Sequence, residues 1–109
     1  MKFKKGIVTV TREDLSTVEL PGLVCNGVAV HRALDGQRWT VSHAASGMRA
    51  GYTLTHKGAR ELAGLFLAAA NGAAMPMDCA DPSTMQAWVR RNSGKFKDYV
   101  QARREYAFS

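Results

Sequence analysis

The chain predicts an α+β fold, with a small antiparallel β-meander over about residues 2–54 followed by three helices at about 56–71, 82–92 and 95–107. Three observations carry this. β-branched runs and turn residues crowd the first half, apolar residues recur at helical spacing in the second, and no repeat, low-complexity tract or long linker separates them. Residues 1–109 therefore form one domain, β-rich over 1–54 and helical over 55–109. The 109 residues are 46% hydrophobic, enough to bury one core.

Ile7 to Thr11 and Leu15 to Leu20 are short β-prone runs, and Pro21-Gly22 punctuates the second. Leu23 to Leu34 and Gln37 to His43 flank Asp35-Gly36, a pair that tolerates the positive φ of a two-residue type I′ turn. That turn sets Leu34 against Gln37, Arg32 against Trp39, Val30 against Val41 and Val28 against His43. One face of the hairpin is then apolar, with Arg32 placed to lie over the Trp39 indole. The other carries Ala29, His31, Ala33, Arg38, Thr40 and Ser42, and its polarity predicts solvent. Ala44 to Gly51 should turn the chain, and Tyr52-Thr53-Leu54 adds a short strand.

Thr55 is placed to cap the first helix; with Gly58 at N3, no reciprocal capping box forms. Ala59, Leu62, Leu65, Phe66 and Ala69 trace its buried stripe, and Asn71-Gly72 ends it. Small residues on its outer face (Ala63, Gly64, Ala68, Ala70) admit a close neighbour. The C-terminal helices are the simpler occupant, a second copy in a homodimer the alternative. Asp81 caps the second helix, Pro82 suits its first position, and Met85, Trp88 and Val89 form its apolar stripe. Asn92-Ser93-Gly94 should break it. A third helix from about Lys95 buries Phe96, Tyr99 and Val100.

Fifteen Lys+Arg against nine Asp+Glu give a formal charge of +6, which favours a polyanionic partner. Arg90, Arg91, Lys95 and Lys97 cluster at one helix junction, off the apolar stripes, where they could neutralise phosphates. Catalytic signatures are missing: there is no nucleophile elbow, cysteine-enzyme motif or Gly-rich phosphate loop. His31, His43 and His56 with Cys25 and Cys79 lack the spacing of a zinc site, so neither metal nor other cofactor is expected. Cys25 and Cys79 are expected as free thiols. No run approaches the roughly 20 apolar residues of a membrane span, and no apolar segment follows the basic start of the chain, so a cytoplasmic protein is expected.

Ser83-Thr84, Trp88, Phe96, Tyr99 and Ala102-Arg103 occur in the order and spacing of the helix-turn-helix region of phage terminase small subunits and related phage DNA-binding proteins, which the segment of about residues 57–107 resembles. The resemblance implies that the helix bearing the Ser/Thr pair and the tryptophan is offered to duplex DNA. Ser83, Thr84, Gln86, Arg90 and Arg91 would then face DNA, with Lys95 and Lys97 on phosphates. One departure bears on this. The supporting helix of such a motif would fall in Ala73 to Ala80, where Pro76 leaves room for one turn at most, so the motif is trimmed. The resulting expectation is a small non-enzymatic DNA-binding protein of phage or mobile-element type. Its alternative is an inhibitor, of the anti-CRISPR or anti-restriction kind, that binds a host protein or nucleoprotein complex.

Overall fold

The structure, a computed structural model, describes residues 2–34 and 36–109. Among these, five strands form one antiparallel sheet in sequence order: β1 (Lys4–Thr11), β2 (Thr17–Cys25), β3 (Val28–Arg32), β4 (Trp39–His43) and β5 (Met48–Thr53). Helix α1 (His56–Gly72) follows, then α2 (Pro82–Asn92), a 3₁₀ turn (Ser93–Phe96) and α3 (Lys97–Tyr106). The α+β class and the meander stand as expected.

The expectation of three separate helices is corrected. Asn92-Ser93-Gly94 does not break the chain: Ser93 keeps right-handed helical angles (φ −56°, ψ −34°), and the 3₁₀ turn joins α2 directly to α3. The helical half is therefore two bodies, α1 and one bent run from Pro82 to Tyr106. A glycine inside a helical path costs only about 1 kcal/mol. Burial of Phe96, whose ring meets Trp88 edge-on at 5.9 Å, more than offsets it.

The sheet also departs from expectation. Leu23 to Leu34 is not one strand, because Asn26 (φ 50°) and Gly27 (φ 86°) make a two-residue turn between β2 and β3. Asn-Gly is a strong signal for a type I′ hairpin. Between β3 and β4 the register is as expected, pairing Val28 with His43, Val30 with Val41 and Arg32 with Trp39. The Arg32 guanidinium lies 4.8 Å from the Trp39 ring centroid. Beyond this register the Ala33 N–H donates to the Arg38 carbonyl at 2.7 Å, and the expected pairing of Leu34 with Gln37 flanks a residue outside the described ones. Asp35, half of the expected turn, lies outside the described residues, while Gly36 holds φ 75°. β5 begins at Met48 rather than Tyr52, so only residues 44–47 turn the chain.

The larger correction concerns the hairpin face expected in solvent. Ala29, His31, Thr40 and Ser42 are all buried, because the β1–β2 ribbon curls over them. Val8 and Val10 pack on Ala29, and the ribbon's far end is tied down where the Thr11 N–H donates to the Gly47 carbonyl at 3.0 Å and the Thr11 hydroxyl to the Ser46 carbonyl at 2.7 Å. Gly47 has φ 75° and no room for a side chain, since a Cβ would stand 2.5 Å from the Thr9 oxygen. The polar groups beneath the ribbon are satisfied internally. His31 Nδ1–H donates to the Arg32 carbonyl at 2.8 Å, and Nε2 accepts from the Ser42 hydroxyl at 2.9 Å.

The opposite face holds the main core. Val28, Val30 and Val41 meet Ala59, Leu62, Ala63 and Phe66 of α1. Thr55 caps α1 as expected, accepting from the Gly58 N–H at 3.0 Å. The expected stripe is shifted: Leu65 is 41% exposed, while Ala63, Leu67 and Ala70 are buried. α1 is sandwiched between the sheet and α3, which buries Ala63 and Ala70, while Gly64 is half-buried and Ala68 stays exposed.

Burial lowers the His31 pKa below its ordinary value of 6.5, outweighing the hydrogen bond to the Arg32 carbonyl, which acts the other way. The unfolded chain therefore binds protons that the folded chain refuses. Stability is full above pH 6.5 and falls as pH drops from there toward the folded value. His56, lowered by partial burial and by Arg60, adds to the loss, whereas Asp14 and Asp81 act only below their ordinary 3.8. Thermal midpoints measured between pH 7.5 and 4.5 should decline across this window, and His31→Gln should flatten part of the decline. A midpoint unchanged down to pH 4.5 would contradict a buried neutral imidazole.

Candidate nucleic-acid interface

The site is organised by an irregularity in β5. Val41 pairs with Gly51 and Ser42 with Arg49, so Ala50 is an extra, unopposed residue: a β-bulge. Its carbonyl accepts from the Tyr99 hydroxyl at 2.9 Å and from Arg103 Nη1 at 3.4 Å. Gly51 allows this approach, because a Cβ there would stand 2.9 Å from Leu62 and 3.2 Å from the Tyr99 oxygen. α3 is thereby fixed to the sheet, with Arg103 of α3 and Arg49 of β5 on a common surface. Tyr99 is buried against Phe66, ring centroids 5.3 Å apart, and burial raises its pKa far above the ordinary 10.0. It acts as a neutral donor.

Between β5 and the bent helical run lies a cleft of about 380 Å³. Its floor is apolar, from Phe66, Met75, Met85, Phe96 and Tyr99. Arg49, Gln86, Arg90 and Arg103 line it from three different elements. Gln86 and Arg90 are four residues apart on α2 and so share one helix face. The three arginines are exposed, and no ion pair with a carboxylate holds any of them among the described residues. A second depression of about 480 Å³ adjoins it through Arg49, Ala50 and Arg103, and adds Tyr52, Arg104 and Phe108. The Arg38 and Arg49 guanidinium carbons lie 4.7 and 5.5 Å from the Tyr52 ring centroid. A third, of about 830 Å³, runs under the β1–β2 turn and again includes Arg49 and Gln86.

Ser83, Thr84, Gln86, Arg90, Arg91, Lys95 and Lys97 are all exposed. Of these, only Gln86 and Arg90 enter the cleft. Thr84 is committed elsewhere: its N–H and hydroxyl both donate to the Asp81 carboxylate, and these bonds hold that carboxyl below its ordinary pKa. Trp88 is half-buried against Phe96, and its carbonyl accepts from Asn92 at 2.8 Å. Arg38, Arg49, Tyr52 and Arg103 were not among the expected site residues. Nothing in local spacing marks them, since they meet only through the bulge and the docking of α3.

Residues 73–80, where the resemblance would place a supporting helix, contain none. Ala74 takes a left-handed φ of 55° just after α1, Met75 is buried, and His43 Nε2–H donates to the Pro76 carbonyl at 2.9 Å. The preceding helix, α1, is packed on the sheet. The Ser46–His43 pair beside the cleft has the elements of a nucleophile and base, yet both residues are buried. His43 Nδ1 accepts from the Ser46 N–H at 3.2 Å, and its other nitrogen is spent on Pro76. Among the described residues no three His, Cys, Asp or Glu side chains gather as a metal site, the two cysteines are unpaired, and no helix is long and apolar enough to cross a membrane.

No protein-family model, curated protein or solved structure matches the chain.

Replacing Tyr99 by Phe should keep the packing on Phe66 and remove the better donor to Ala50. The expected cost is about 1 kcal/mol, read as a lower urea midpoint at unchanged slope. An unchanged midpoint would show that Arg103 or water satisfies that carbonyl alone.

Proposed function

We propose that this chain is a small, non-enzymatic nucleic-acid-binding protein, and that it holds its ligand on the arginine-rimmed surface of β5, α2 and α3. The observation that carries the reading is the convergence of Arg49, Arg90 and Arg103 with Gln86 around one cleft. Arginine presents planar, bidentate donors suited to phosphate, and a glutamine amide can pair with a base edge. A surface rich in unpaired cations draws a polyanion and releases its counterions on contact. Ser83, Arg91, Lys95 and Lys97 extend this basic surface along the bent helical run and supply outer phosphate contacts. Thr84 contributes through its cap to the placement of α2. The non-enzymatic reading rests on the buried, internally bonded state of the Ser46–His43 pair.

A second reading has one observation in its favour. Phe108 is 84% exposed beside Arg104, and an aromatic next to arginine is the composition of a protein-binding anchor. The chain would then inhibit a host protein or nucleoprotein complex, in the manner of small phage-encoded inhibitors.

Fluorescence anisotropy with labelled oligonucleotides, single-stranded and duplex, at about 50 and 200 mM salt tests the first reading, since affinity should fall steeply across this range. The double variant Arg49→Gln/Arg90→Gln should weaken binding and reduce the slope of log K against log salt by about two. The triple variant Arg91→Gln/Lys95→Gln/Lys97→Gln should reduce affinity less, because those residues lie outside the cleft. Absence of binding to either form at micromolar protein and low salt would overturn the proposal. Retention of a stoichiometric protein partner after nuclease treatment would then favour the inhibitor.

A further inference from the structure

We propose that the cleft between β5 and the bent helical run receives an unpaired nucleobase, so that the ligand is single-stranded or locally unpaired nucleic acid rather than continuous duplex. This rests on the nucleic-acid reading above and narrows it.

The cleft combines three chemistries that a nucleotide brings together. A flat apolar body suits the apolar lining, where exposed Val89 and half-buried Met48 and Val100 lie around the buried Phe66, Met85, Phe96 and Tyr99; a hydrogen-bonding edge suits Gln86; an anionic link suits Arg49, Arg90 and Arg103. A bare phosphate would leave the apolar lining unused, and an apolar ligand would leave the charge of the three guanidinium groups uncompensated. The volume, about 380 Å³, is within the roughly 300–1,000 Å³ of small-ligand sites. In a duplex the base faces are stacked and their pairing edges occupied, so no base can present its face to such a floor without leaving the helix.

The placement of α2 argues the same way. A recognition helix enters the major groove with its base-reading side chains projecting freely. Here Gln86, Val89 and Arg90 line the cleft together with Met48, Arg49 and Ala50 of β5. Beside it Tyr52, overlaid by Arg38 and Arg49, and exposed Phe108 continue a surface of aromatic rings and guanidinium planes. Single strands are held by this combination, since every base has a face that stacks on aromatic rings or arginine planes.

The test is anisotropy of the full chain with one fluorescein-labelled 12-mer, measured as a single strand, as a duplex, as a duplex with one unpaired bulge, and against poly-glutamate as a polyanion without bases. The single strand and the bulged duplex should bind about tenfold or more tightly than the perfect duplex at equal salt. Val89→Trp fills the cleft from a position already 40% exposed and removes no charge. It should abolish that preference while leaving the salt slope intact. Gln86→Met, at an exposed position, removes the hydrogen-bonding edge without changing charge; it should reduce that preference at an unchanged salt slope, and it keeps the test decisive if the tryptophan variant misfolds. Equal affinity for single strand and perfect duplex, or a preference untouched by both variants, overturns the proposal while the broader reading survives. Equal affinity for poly-glutamate overturns it in favour of an acidic protein partner. Failure to bind any oligonucleotide removes the broader reading itself.

Discussion

The Ala50 carbonyl is the contact on which the arrangement of the helical half depends. β5 ends the strand order, and at its bulge the Ala50 carbonyl meets Tyr99 and Arg103 of α3. A buried carbonyl without a donor is costly, so α3 is held where its hydroxyl can reach. With α3 fixed, the 3₁₀ turn and the Phe96–Trp88 contact set the direction of α2. The cleft is the space left between that bent run and β5. Its arginines are brought together by backbone geometry, not by any attraction between them.

The second constraint is that the central hairpin is covered on both sides. β3 and β4 meet α1 on one face and the curled β1–β2 ribbon on the other, so a short chain makes two apolar clusters from one sheet. Polar residues on the ribbon side are tolerated because each finds a partner: His31 bridges the Arg32 carbonyl and the Ser42 hydroxyl, and no buried side-chain nitrogen or oxygen among the described residues lacks a hydrogen bond. The imidazole must stay neutral for this layer to close, which couples a buried structural group to mildly acidic pH. Gly47 matters equally, since only a residue without Cβ lets the ribbon reach the β4–β5 turn.

Local signals were legible where chemistry is local. Caps at Thr55 and Asp81, proline at the start of α2, the β3–β4 register and the Arg32–Trp39 contact all follow from neighbours in sequence or directly across a hairpin. Asn26-Gly27 was equally legible and was passed over because the apolar run around it read as one strand. Alternation misled at His31, Thr40 and Ser42, because polarity predicts solvent only when no later or earlier element covers the face. The break at Asn92-Ser93-Gly94 misled for a similar reason: propensity is worth about 1 kcal/mol and the buried Phe96 is worth more. The site was half legible. Gln86 and Arg90 are visible on α2, but Arg49, Tyr52 and Arg103 join them only through the bulge, whose one sequence marker is Gly51, a glycine inside a strand.

The missing helix in residues 73–80 separates two ideas that the resemblance had joined, the partner and the manner of holding it. Residues 73–80 hold no supporting helix, and the glutamine and arginine of α2 line the cleft beside β5, although they remain exposed. The charge argument does not depend on that helix. Three exposed guanidinium groups around one apolar cleft repel one another, and no carboxylate pairs with them among the described residues. On the proposed reading, an anion bound among them would relieve the repulsion, and the apolar lining beneath would favour one that carries a flat, poorly hydrated body. Affinity and selectivity would then come from different parts of the same cleft, the rim responding to salt and the floor to whether a base is free to enter.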